Sequence, residues 1–149
     1  MPEIKPIYLF YGEERFLIEK DLHAFRHYFS AEGAFDIKEY DGRKASLAEI
    51  IADAETPPLF AEKRLIIVDQ VPWFKGDVEE SAPLAKYIED PADFTCLVLV
   101  ATEVDKRRKL FKNISTLGKV RAFDKLSHWD LVKYVRETFM KQGKRIDAG

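Results

Sequence analysis

Two kinds of apolar spacing alternate along this chain. Short runs of apolar residues are separated by longer stretches in which apolar residues recur every three or four positions. The first spacing is typical of β-strands and the second of amphipathic helices, so their alternation predicts an α/β domain with a parallel sheet. Five strands are predicted, at residues 7–11, 36–40, 65–68, 96–101 and 120–123.

The composition of each run predicts where the strand lies in the sheet. The runs at 7–11, 65–68 and 96–101 are continuously apolar, as expected for central strands that are covered on both faces. Residues 36–40 alternate in character, which places that strand nearer an edge. Helices are predicted to begin at about Glu13 and, with Ser or Asp at their starts, at Ser46, Ser81, Asp105 and Ser127.

Composition limits the class of protein. The 149 residues make one ordinary domain, and 46% hydrophobic residues provide ample material for a core. A net charge of −2 gives no overall basic field for nucleic-acid binding, so we expect DNA contact to be indirect or weak. Cys96 is the only cysteine, and no stretch resembles a membrane span or a signal peptide. These features predict a cytoplasmic protein.

The segment from Thr56 to Gln70 carries most of the functional information. Pro57 and Pro58 lack backbone N–H groups, so they end the preceding helix and hold Leu59 and Phe60 in a connection that cannot join a sheet. Two large apolar side chains are therefore predicted at a loop tip. The alternative is that they fold under the sheet as ordinary core, where large apolar side chains usually lie.

The first strand is followed by a glycine and a helix, which is where a phosphate-binding P-loop would lie. Aligning Gly12 with the first glycine of that motif places Leu17, Ile18 and Glu19 at the second glycine, the lysine and the Mg²⁺-binding hydroxyl. Every phosphate-handling group is missing.

The third predicted strand ends like the acidic strand of a nucleotide hydrolase. Asp69 lies at the carboxyl edge of the sheet, but Gln70 replaces the acid that would polarise an attacking water. The pattern indicates the skeleton of a nucleoside triphosphatase with a degenerate site. We expect Asp69 to cap a neighbouring helix or to accept a hydrogen bond in a loop.

Three segments together resemble the delta subunit of the bacterial DNA polymerase III clamp loader. They are IYLFYGEERFLIE at 7–19, TPPLFAEKRLIIVD at 56–69 and LVLVATEVDKRRKL at 97–110. The resemblance implies a three-layer, AAA+-like P-loop NTPase fold with a five-stranded parallel sheet that has lost ATP binding, no cofactor and no intrinsic enzymatic activity. It also implies that Leu59 and Phe60 insert into a pocket on the sliding clamp, the beta subunit, and promote opening of the ring.

The resemblance divides the chain at its C-terminal end. Residues 1–142 correspond to the family's N-terminal AAA+-like domain, and 143–149 to the start of the lid domain or to a tail. In this family the lid and collar domains assemble with the other clamp-loader subunits, and they are expected to be absent here.

Several other residues have ordinary structural explanations. His23 and His27 are four residues apart but lack a third metal ligand, so we expect solvated side chains and no metal. Cys96 is expected to be a core thiol. The basic run from Lys106 to Lys112 is interpreted as a solvated helix face, with contact to a partner or DNA as the alternative. For Trp73 and Phe74, core and surface positions remain open.

Two further functional hypotheses remain. A divergent P-loop nucleotide hydrolase is supported by the strand-glycine-helix start and Asp69, and nucleotide binding would distinguish it. A generic α/β domain with a small-molecule pocket at the carboxyl edge of the sheet is the other.

Overall fold

The computed structural model describes residues 4–32, 35–123 and 136–137. Five strands form one sheet in the order β2-β3-β4-β1-β5, and all neighbours are parallel. The strands are β1 (Ile7–Tyr11), β2 (Phe35–Asp41), β3 (Lys63–Asp69), β4 (Thr95–Ala101) and β5 (Lys119–Ala122). The predicted α/β class, central β4 and edge strand β2 are confirmed.

Helices cover both faces of the sheet, which gives three layers. They are α1 (Arg15–Glu32), α2 (Leu47–Ala54), α3 (Ala82–Tyr87) and α4 (Lys109–Leu117), with a short 3-10 helix at Val78–Ser81 before α3. The predicted cap of α2 is confirmed, because the Ser46 side chain accepts a hydrogen bond from the Glu49 amide at 3.0 Å.

The sheet separates two apolar cores because successive strand residues point to opposite faces. On one face Ile18, Leu22 and Phe29 of α1 pack against Phe10, Ile67, Val98 and neighbouring residues. On the other face α2, α3 and α4 pack against residues such as Leu9, Ile66 and Leu99. All seven residues of β4 are buried, as the continuous apolar run predicts.

Several predicted boundaries differ from the observed ones, and β2, β3 and β4 each begin one or two residues earlier than predicted. The helix expected from Asp105 begins at Lys109, because Asp105 instead accepts hydrogen bonds from the Arg107 amide and side chain in a preceding turn. Strand β5 begins one residue earlier than predicted, at Lys119, and α1 begins at Arg15, after Glu13. The start of the helix predicted from Ser127 and the division at 142 lie outside the described residues. None of the helices described is long and apolar enough to cross a membrane.

Candidate functional site

The loop between α2 and β3 presents two adjacent, almost fully exposed apolar side chains. Leu59 is 86% and Phe60 is 97% exposed, directly after Pro57 and Pro58. The prediction that the pair lies at a loop tip is therefore confirmed, and the core alternative is wrong. Their function stays a prediction.

No other exposed large hydrophobic residues in the described ranges are adjacent in the sequence. Scattered exposed hydrophobic residues are normal on a protein surface, whereas a contiguous pair on a proline-stiffened loop suggests a contact with a partner. The other large hydrophobic residues exposed in these ranges are Phe16, Val78 and Leu117.

The opposite, carboxyl edge of the sheet contains a cavity of about 260 Å³. This is slightly below the volume of roughly 300–1,000 Å³ that is usual for ligand pockets. Gly12, Ile18, Asp69 and Gln70 all line this cavity, as their predicted positions require. Leu17 instead packs against the core beneath α1.

Arg15 also lines this cavity, although the comparison with the P-loop motif did not single it out. The Arg15 guanidinium donates hydrogen bonds to both carboxylate oxygens of Asp69, at 2.7 and 2.5 Å, and to Glu19 Oε1 at 3.0 Å. The predicted role of Asp69 as a helix cap or loop acceptor is therefore wrong, because its carboxylate forms a bidentate ion pair. The hydrogen bonds that Arg15 donates to Asp69 raise the pKa of Arg15 above its ordinary value, and the charges of Asp69 and Glu19 act in the same direction.

The loop before α1 already uses its backbone N–H groups inside the protein. The amide of Gly12 donates to the carbonyl of Ala101 at 3.2 Å, and the amide of Glu14 donates to the carbonyl of Phe123 at 3.0 Å. The Arg15 amide donates to the carbonyl of Glu13 at 2.9 Å. A phosphate-binding loop directs such donors at its ligand, whereas these three amides are paired with carbonyls of the protein.

Two other predictions about polar side chains can be compared with the structure. His23 and His27 are both exposed, as expected. Cys96 is buried in β4, as predicted, and burial raises the pKa of its thiol to about 12.

The basic run does not form a single helix face. Lys109 and Lys112 lie on α4 and are exposed, but Lys106 precedes the helix with its ammonium 5.7 Å from the centre of the Tyr11 ring. Arg108 donates hydrogen bonds to the carbonyls of Trp73, at 3.4 Å, and Gly76. The solvated-face interpretation is therefore wrong for Arg108, which supports the loop after β3.

The same loop carries the two aromatic residues whose position the sequence left open. Trp73 is 5% and Phe74 is 1% exposed, so both belong to the core that α2, α3 and α4 cover.

The structure is an AAA+-like α/β domain with the Arg15–Asp69 ion pair at the carboxyl edge of its sheet and an exposed apolar loop at the other edge. Residues 8–123 match the family model described as DNA polymerase III, delta subunit. The chain therefore belongs to this family.

Two similar proteins extend the comparison. The chain is 32% identical over 120 residues to DNA polymerase III subunit delta of Bacillus subtilis strain 168, covering 74% of this chain and 35% of that protein. The solved structure of the Bacillus subtilis DNA clamp loader delta protein superposes with a TM-score of 0.80 at 26% identity. That comparison covers 94% of this chain and 44% of the other, so this chain spans less than half the length of both relatives.

Proposed function

We propose that this domain binds the sliding clamp of the replication machinery by inserting Leu59 and Phe60 into an apolar pocket, and thereby promotes opening of the clamp ring. The observation that carries the proposal is the near-complete exposure of both side chains on one loop. Membership of the delta subunit family supports it, because the relatives are subunits of the DNA polymerase and of its clamp loader.

The chemistry of the loop suits an apolar anchor with a polar rim. Exposed Glu62 and Lys63 follow the pair within three residues, so charged groups surround the apolar tip without covering it. Interfaces of this kind obtain most of their binding free energy from a few buried apolar or aromatic side chains, while the rim remains solvated. The expected partner is therefore a protein pocket, and any contact with DNA is indirect or weak.

The domain is proposed to act without chemistry of its own, as part of a larger assembly. The lid and collar domains of the family would join it to the other clamp-loader subunits. Hydrolysis of nucleotide would then be the task of those other subunits, and this domain would contribute the contact with the clamp.

The direct test is binding of the 149-residue chain to the sliding clamp of its own organism, measured by surface plasmon resonance. We expect saturable binding that salt weakens only slightly, because the anchors are apolar. Absence of binding at micromolar concentrations, or binding that disappears on modest addition of salt, would contradict an apolar anchor.

We also expect that the domain does not bind Mg-ATP. Arg15 already pairs with Asp69 and Glu19, and the amides of Gly12 and Glu14 donate inside the protein. A triphosphate would have to break these contacts and also approach the carboxylates of Glu13 and Glu14. Calorimetry should detect no heat of binding, and one-to-one binding at micromolar concentration would instead support the divergent hydrolase.

A further inference from the structure

A buried arginine lies at the base of the apolar loop. Arg64 is the second residue of β3 and is 6% exposed. A guanidinium is rarely buried unless its N–H groups have partners, because removing them from water is costly. The partners of Arg64 therefore indicate what it does.

Four hydrogen bonds connect Arg64 to the adjacent strand and to the end of α2. Nε and Nη2 donate to Asp36 Oδ2 at 3.1 and 2.9 Å. Nη1 donates to the carbonyl of Asp53 at 2.9 Å and to the carbonyl of Thr56 at 3.0 Å. The Asp36 carboxylate on β2 orients one side of the guanidinium. The other side of the guanidinium binds the carbonyls where the chain leaves α2.

The register of the sheet brings a third side chain to the same place. Asp36, Arg64 and Thr95 are paired in register on β2, β3 and β4, so their side chains project from the same face. The buried Thr95 hydroxyl donates to the carbonyl of Ala54 at 2.7 Å. Two of the three buried polar or charged residues in the described ranges thus donate to carbonyls at the end of α2, where the helix leaves carbonyls without a full set of internal partners.

Apart from its two prolines, the loop is held by few contacts of its own, although Thr56 before it donates from its amide to the carbonyl of Asp53 at 3.1 Å and from its hydroxyl to the carbonyl of Ala52 at 2.7 Å. Pro57 and Pro58 have no N–H groups, and within the described part of the chain residues 57–61 make no backbone hydrogen bond. The carbonyl of Thr56 is the last anchored group before Pro57, and the chain re-enters the sheet at Lys63, next to Arg64. The Arg64 side chain therefore links the start of the loop directly to the strand at its end.

We infer that Arg64 is a positioning residue that fixes the loop with Leu59 and Phe60 ready to bind. This inference rests on the proposed function. Holding the loop in one conformation before binding reduces the loss of conformational freedom when the partner is bound, and so increases affinity without any direct contact. Arg64 itself is buried and need not touch the partner.

The experiment compares three variants of the 149-residue chain. Arg64→Met removes all four hydrogen bonds with little loss of volume, and Arg64→Lys keeps the charge but cannot span Asp36 and both carbonyls. Arg26→Met is the control, because Arg26 also forms a bidentate pair with a β2 carboxylate, Glu39, at 2.8 and 2.9 Å, but three residues further along β2 and on the other face of the sheet.

Two readouts separate positioning from a general loss of stability. The first is ¹⁵N relaxation of the Leu59 and Phe60 amides, measured without any partner, and the second is affinity for the clamp well below each melting temperature. We expect lower order parameters in both Arg64 variants and affinity weakened on the order of tenfold in Arg64→Met. Arg26→Met should change neither readout.

Unchanged order parameters in a folded Arg64 variant, or weaker binding without increased loop motion, would overturn the inference. If Arg64→Met does not fold, Arg64→Lys decides by the same criteria. If the wild-type chain fails to bind the clamp, the proposed function fails, whereas the relaxation data still show whether Arg64 fixes the loop.

Discussion

Replacing Leu59 and Phe60 together by alanine is expected to weaken binding to the sliding clamp by roughly a hundredfold to ten-thousandfold. Each side chain, when fully buried, contributes about 1.5–3 kcal/mol, so the pair contributes about 3–6 kcal/mol. This range applies because the side chains are 86% and 97% exposed in the free domain and have nearly all of their area available for burial.

The same substitutions should leave the folded domain almost unchanged. Side chains that contact little in the free protein contribute little to its stability, whereas truncating a core side chain costs about 2–5 kcal/mol. Thermal melting and clamp binding are therefore measured on the same sample. The expected result is an unchanged melting temperature with binding lost.

A control variant tests whether the effect depends on the position of the pair. Phe16→Ala with Val78→Ala removes two other exposed apolar side chains from the opposite end of the sheet. That variant should bind the clamp like the wild type. Equal losses in both double variants would indicate non-specific apolar contact, and wild-type affinity after removal of Leu59 and Phe60 would refute the assignment.

The second large effect is expected from Gly12→Ala, which should destabilise the domain. A Cβ at Gly12 would lie 2.0 Å from the backbone oxygen of Phe123, and φ is +137°, a conformation that strains an L-residue. Strain and overpacking each cost about 1–3 kcal/mol, and their sum should lower the melting temperature on the order of 10 °C. Calorimetric or circular-dichroism melting measures this directly.

Gly76→Ala separates the two contributions. Gly76 also has a positive φ, of +85°, but no atom lies within 4 Å of its added Cβ. Gly76→Ala should therefore lower the free energy of unfolding only through the strained backbone conformation, by about 1 kcal/mol. If Gly12→Ala is no worse than Gly76→Ala, the close contact with Phe123 is not an important constraint on this turn.

The comparison with the P-loop motif singled out Gly12 but did not predict the reason that a glycine is needed there. As the first glycine of a P-loop, it would allow phosphate to approach the backbone. In this structure the close approach is made by the carbonyl of Phe123, more than a hundred residues later, which no local pattern can reveal.

The sheet was predictable because its signals are local. Continuous apolar runs identified β1, β3 and β4 as central strands, and Ser46 with Glu49 identified the start of α2. The exposed loop was predictable for a similar reason, since two prolines directly before Leu59 leave few conformations that could bury it.

The ion pairs were not predictable from spacing. Arg15 and Asp69 are 54 positions apart, and their contact depends on the path of α1, which packs against β3 on its way from β1 to β2. The arginine at the first residue of α1 was the available signal, because a cation there opposes the helix dipole unless an acid pairs with it. The start of α4 was misplaced because Asp105 forms a turn with the same hydrogen-bonding chemistry as a helix cap.

The position of β3 has a consequence for how the family can vary. The apolar loop enters this strand at Lys63 and the cavity with Arg15 lies beyond its other end at Asp69, so seven extended residues, about 20 Å, separate the two. Free-energy changes at sites so far apart are usually additive. Substitutions in the cavity at one end of the sheet could therefore accumulate without any adjustment of the apolar loop at the other end.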